Sequence, residues 1–145
     1  MPTKPFVQHR YGISMDVFIT RKPQGESLVL GGVGERYGRW TRVLTLRAAQ
    51  LLWFHLTGVL FPERAERVTT IAVTAPLRGD DRPTITTHLE VVRTADGFIE
   101  MIGWAGQDTW WARLPQNEAR ALWARLDQLL YPVGWEGRER KRRQD

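Results

Sequence analysis

Two stretches of this chain, Trp40–Pro62 and Trp110–Pro132, are versions of one another. Laid over each other at an offset of 70, they agree at eight of 23 positions. The matches are Trp40/Trp110, Leu44/Leu114, Ala49/Ala119, Leu52/Leu122, Trp53/Trp123, Leu56/Leu126, Leu60/Leu130 and Pro62/Pro132. Phe61 and Tyr131 add an aromatic pair before each proline. A period of this length means one structural unit used twice, and each copy has to bury the same apolar face. Each stretch reads as a short strand running into a helix. Ala119, Leu122, Trp123, Leu126 and Leu130 recur at three- and four-residue steps, one face of a helix. Pro115 suits a first turn and Thr45, its counterpart, suits a cap. Pro62 and Pro132 stop the helices, because the residue before a proline is pushed out of helical geometry. Leu51, Phe54 and Val59 widen the apolar stripe of the first helix, so it needs cover on two sides.

The chain in order predicts strands over 6–13, 15–22, 27–33 and 39–44 before the first helix. A glycine-rich connection covers Gly31–Gly38. In the second copy, strands are predicted over 68–75, 84–94, 98–104 and 109–114. Met15, Val17 and Ile19 alternate with Asp16, Phe18 and Thr20, the period of a half-buried strand. Ile85, Leu89 and Val91 alternate in the same way with Thr86, His88 and Glu90. Ala95-Asp96-Gly97 marks a hairpin turn. The fold class expected is α+β: two repeats of four antiparallel strands plus one helix, related by a pseudo-twofold axis. Their limits are about 6–62 and 67–132, inside a single domain 1–136. The two helices must cover the apolar faces of both sheets, which leaves the outer faces open.

Cysteine is absent, which removes disulfides and cysteine-ligated zinc. The start has no apolar signal region and no apolar run nears ~18 residues, so a soluble cytoplasmic protein with no membrane partner is the default expectation. The net charge is +5. Residues 137–145, a basic tail expected to be disordered, hold five positive and two negative charges. They supply +3 and leave +2 on the rest. A polyanion partner therefore has to be argued from where the charges sit.

The order of elements resembles the Whirly-like single-stranded nucleic-acid-binding group, whose members include PUR-repeat proteins, plant Whirly proteins and the coactivator called positive cofactor four. The likeness to the PUR repeat is carried in the first copy by Val17-Phe18-Ile19-Thr20-Arg21-Lys22, Gly25, Leu28-Val29-Leu30 and Arg42-Val43-Leu44-Thr45-Leu46. The second copy has His88-Leu89-Glu90-Val91, Gly97, Phe98–Ile102 and Trp111-Ala112-Arg113-Leu114-Pro115. The second copy departs by lacking basic residues near Gly103–Asp108. The resemblance covers roughly residues 12–132. It implies a Whirly-like fold and binding of single-stranded DNA or RNA on the sheets.

Alternation sorts the candidate ligand-binding residues. If Trp40, Leu44, Trp110 and Leu114 face the helices, then Arg39, Thr41 and Val43, and Thr109, Trp111 and Arg113, face out. Phe18 points outward beside Thr20 and Lys22. Aromatic faces stack bases and cations meet phosphates, so Phe18, Lys22, Arg39, Thr41, Trp111 and Arg113 form a candidate platform. A second core or an oligomer interface would use Phe18 and Trp111 equally well. Trp40, Trp53, Trp110 and Trp123 are core residues on this reading. The glycine-rich stretch lacks the Gly-Lys-Ser/Thr ending of a phosphate loop and enters a strand, not a helix. Arg36 and Tyr37 could still touch a nucleic-acid backbone from it. Arg140, Lys141, Arg142 and Arg143 in the tail form either a nucleic-acid arm or a solvated end. His9, His55 and His88 have no metal-ligand spacing, and no catalytic constellation stands out. The expectation is a non-enzymatic single-stranded DNA- or RNA-binding protein with no cofactor and no metal. The alternative is a protein-interaction or structural domain of the same fold. The wide stripe of the first helix leaves homo-oligomerisation open.

Overall fold

In the computed structural model, residues 7–64, 73–77 and 79–132 are described. The protein is α+β. In order come β1 (Gln8–Arg21), β2 (Leu28–Gly34), β3 (Gly38–Leu44), α1 (Leu46–Leu60), β4 (Ile85–Thr86), β5 (His88–Arg93), β6 (Ile99–Ala105), β7 (Asp108–Leu114) and α2 (Gln116–Leu130). The strands form one seven-stranded sheet in the order β4-β3-β2-β1-β7-β6-β5.

This differs from two separate antiparallel sheets of four strands each. The expected strands over 6–13 and 15–22 are one strand, β1, whose two ends have different partners. Gln8–Ile13 pairs in parallel with β7, and Ser14–Arg21 pairs antiparallel with β2. Gly12 and Asp16 take positive φ, 77° and 52°, which bends the strand without ending it. A second parallel junction joins β3 to β4. Thr87 alone separates β4 from β5, so the two ends of the sheet order are neighbours in the chain. The expected strand over 68–75 lies mostly outside the described residues, and Val73–Leu77 run without regular structure.

The breaks in β1 and at Thr87 also shift which side chains face in. Ser14 is buried, Met15 is 46% exposed and Ile19 is buried, so Met15 is on the outer face and not with Ile19. Likewise Thr86 is buried beside Leu44, while Ile85 turns outward with Val43. One extra residue in a strand reverses every side chain beyond it. The glycine-rich connection is shorter than expected: Gly31, Gly32 and Gly34 belong to β2, leaving Glu35–Tyr37 as the turn. Gly31 is forced by packing, since a Cβ there would lie 2.5 Å from the Phe18 ring. At Gly103 a Cβ would lie 2.1 Å from the Trp110 indole.

Contacts recur between the halves, at an offset of 70 for the tryptophans and the helix partners and of 72 for Ser14 and Thr86. Trp40 Nε1 donates to Ser14 Oγ at 3.0 Å, and Trp110 Nε1 donates to Thr86 Oγ1 at 3.0 Å. The helices cross-bond in the same way. Trp53 Nε1 donates to Asp127 Oδ1 at 3.1 Å and Trp123 Nε1 to Thr57 Oγ1 at 2.8 Å. Trp53 meets Tyr131 at 4.7 Å and Trp123 meets Phe61 at 4.8 Å between ring centroids. Each indole thus packs its ring against the core and still satisfies its N–H. The apolar sheet face and both helices enclose one core, in which Trp40, Trp53 and Trp110 are buried and Trp123 is partly buried. Thr74 and Ala75 bond to the first turns of α1. Gln50 accepts from the Thr74 and Ala75 N–H groups at 3.0 and 2.8 Å, and Arg47 donates to Ala75 O at 3.1 Å.

Candidate nucleic-acid interface

The outer face carries the candidate residues because strand alternation sends them away from the buried tryptophans. Cross-strand register then decides their neighbours. On one half, Phe18 lies beside Gly31, which lies beside Thr41, and Met15 lies beside Val33, which lies beside Arg39. Phe18 is 44% exposed, with its Cε1 and Cζ covering Gly31. Lys22 is exposed just beyond the end of β1.

On the other half, Trp111 is half-buried between Ile102 on β6 and Arg10 on β1. The Arg10 guanidinium carbon stands 4.8 Å from the centroid of the Trp111 ring, well within cation–π range. A concavity of about 260 Å³ opens here, lined among others by Arg10, Glu35, Arg36, Glu100, Trp111 and Arg113. Arg113 is half-exposed and pairs with Asp96 at 3.5 Å. The Thr94 hydroxyl first, and the Arg113 charge after it, hold the Asp96 carboxyl below its ordinary range. Glu35 Oε1 accepts from the Ile13 N–H at 3.1 Å. No carboxylate is within ion-pair distance of Arg10 or Arg36 among the described residues.

The platform expected as one surface is therefore two. Trp111, Arg113 and Arg36 come together in the concavity. Phe18, Thr41 and Arg39 sit on the other half, where the side chains beside them, Met15 and Val33, are apolar. Tyr37, 64% exposed, projects from the turn beside Arg36 and meets Tyr11 edge-on at 6.1 Å. Arg140, Lys141, Arg142 and Arg143 lie outside the described residues. Arg10, not singled out from sequence, also lines the concavity. Its parallel pairing with Trp111 puts it there, and nothing local in the chain announces a parallel pairing.

Two other features carry charge without presenting it. Arg42 is buried on the inner face, where its Nε donates to the Tyr11 hydroxyl at 3.0 Å and its Nη1 to Pro83 O at 3.1 Å. Tyr11 and Trp40 stack beside it with centroids 4.7 Å apart. A larger concavity of about 360 Å³ lies at the start of α1, lined among others by Glu26, Arg47 and Leu77. Among the described residues that line it there is no aromatic ring, and Arg47 is already bonded to backbone. In the smaller one an aromatic ring meets Arg10 and Arg36, which have no carboxylate partner among the described residues. Among those residues no group of His, Asp and Glu could hold a metal ion, and no helix is long and apolar enough to cross a membrane.

No known protein family, curated protein or solved structure matches the chain.

Proposed function

We propose that this protein binds single-stranded DNA or RNA on the outer face of its sheet, without catalysis or cofactor. With it we propose that the fold is Whirly-like, two copies of one strand-and-helix unit about a pseudo-twofold axis. The paired indole bonds at matched positions support the second statement. The observation that carries the first is the concavity beside Trp111. Around its aromatic ring, Arg10 and Arg36 stand without carboxylate partners among the described residues. Cations in water-filled concavities attract phosphates, and planar groups stack bases that a duplex would hide. Fluorescence anisotropy with single-stranded and duplex oligonucleotides of equal length tests the reading. Tighter binding of the single strand is expected. Equal affinity, or binding to neither, overturns it.

A second reading is favoured by the other half of the outer face. Met15, Phe18 and Val33 are between 39% and 46% exposed and adjoin one another across β1 and β2. Exposed apolar clusters on a sheet are docking surfaces for protein as well as for bases. A protein that binds no oligonucleotide but self-associates on dilution-sensitive light scattering supports that reading.

A further inference from the structure

We infer that the base of a bound nucleotide lies on the Arg10 guanidinium, with Trp111 as the support beneath it and not as the stacking surface itself. This rests on the single-strand reading above. One face of the Trp111 ring is already occupied. Arg10 is its register partner on the neighbouring parallel strand, and the guanidinium carbon stands 4.8 Å from the ring centroid. The sheet itself holds this arrangement, because both residues point the same way from paired backbone positions.

Three features suit the outer side of that guanidinium to a base. It is planar and its charge is unpaired among the described residues, so it offers a stacking plane that also attracts the phosphate chain. Contact with the indole at 4.8 Å restricts the arginine side chain before a ligand arrives, which lowers the entropy cost of binding. The concavity of about 260 Å³ leaves room for a planar ring beside the guanidinium. Glu35 and Glu100 in the same concavity oppose more than one phosphate entering beside Arg36 and Arg113.

Arg10→Lys separates plane from charge, because lysine keeps the positive charge and lacks the planar fork. Short single-stranded oligonucleotides are titrated by anisotropy over a range of salt against the wild type, Arg10→Lys, Arg10→Ala, Trp111→Ala and the Arg10→Ala/Trp111→Ala double variant. Arg10 is exposed, so melting temperatures of its variants should match the wild type and serve as the folding control. Arg10→Lys is expected to weaken binding roughly tenfold or more with an unchanged salt slope, and the double variant to lose little beyond either single change. Arg10→Lys binding as wild type shows that only the charge matters and overturns the inference. Tighter binding by Arg10→Ala means the base sits on the uncovered indole and overturns it too. If the wild type itself binds no single strand, the functional reading falls and this inference with it. If the wild type binds and Arg10→Lys is unaffected, only this inference falls.

Discussion

At Gly31 a single hydrogen decides whether Phe18 can lie on the sheet. A Cβ there would be 2.5 Å from the Phe18 ring and 2.9 Å from the Trp40 carbonyl oxygen. Gly31→Ala should therefore destabilise by about 1–3 kcal/mol through overpacking. The same change in a Phe18→Ala background should cost less, with the Trp40 backbone contact as the remainder. Denaturant unfolding of the four proteins checks this, and an equal cost in both backgrounds would mean that Phe18 does not cover Gly31. The tryptophans sort by burial. Trp53 is fully buried and its N–H is held by Asp127, so Trp53→Ala should cost about 3–5 kcal/mol. Trp123 is partly buried and should cost less, while Trp111→Ala on the outer face should leave thermal melting nearly unchanged. His55 gives a pH signature. Burial is the main cause that lowers its imidazole below 6.5, the nearby His88 adds to it, and Glu90 opposes it. The unfolded chain then takes up a proton at higher pH than the folded one. Stability carried by the neutral ring is present above 6.5 and is lost as pH falls below it. The melting temperature should drop as the solution is acidified through that value, and His55→Gln should flatten the drop.

At the scale of elements, each helix is completed by the other half of the chain. Neither α1 nor α2 has a basic residue in its last turn. Arg21 at the end of β1 donates to Leu129 O of α2 at 2.5 Å, and Arg93 at the end of β5 donates to Val59 O of α1 at 3.0 Å. Cations at these carbonyls satisfy orphan acceptors and face the negative end of the helix dipole. Both bonds are exposed, so Arg21→Ala and Arg93→Ala should each cost about 0.5–1.5 kcal/mol in denaturant melts. A larger loss would place these arginines in the core energetics, and no loss would mean water replaces them fully. The helices themselves were legible. Their apolar spacing, the Thr45 cap and the stops before Pro62 and Pro132 are local, and Thr45 does accept from the Ala48 N–H at 3.1 Å. Pro115 sits one step earlier than a first-turn position, as the cap residue of α2. Strand bounds were legible within a few residues, but not the bulged β1 or the break at Thr87. Residues such as Asp16 and Thr87 look like any other in an alternating run.

For the whole molecule, the crossed arrangement predicts cooperative unfolding. The bonds from Trp53 to Asp127 and from Trp123 to Thr57 tie α1 to α2, and Arg21 and Arg93 tie each meander to the helix of the other. Calorimetry should give one transition with equal calorimetric and van't Hoff enthalpies, and two resolved transitions would mean the halves are independent. The tail acts at the same scale. Residues 137–145 carry +3 of the net +5, so their removal should flatten the plot of log K against log salt. The slope falls by ~0.7 for every phosphate that the tail had neutralised, and an unchanged slope would mean the tail stays off the ligand. Period and alternation alone determined the α+β class, the repeated helices, the buried Trp40, Trp53 and Trp110, and the outward setting of Trp111, Arg113 and Arg39. These follow from residue spacing, which is a local property of the chain. Tertiary structure alone decided the two parallel junctions, the single seven-stranded order, the splitting of the outer face into two patches, and the placing of Arg10 on Trp111. Those depend on which distant strands share hydrogen bonds, and a pairing energy between strands far apart in the chain leaves no pattern in either strand taken alone.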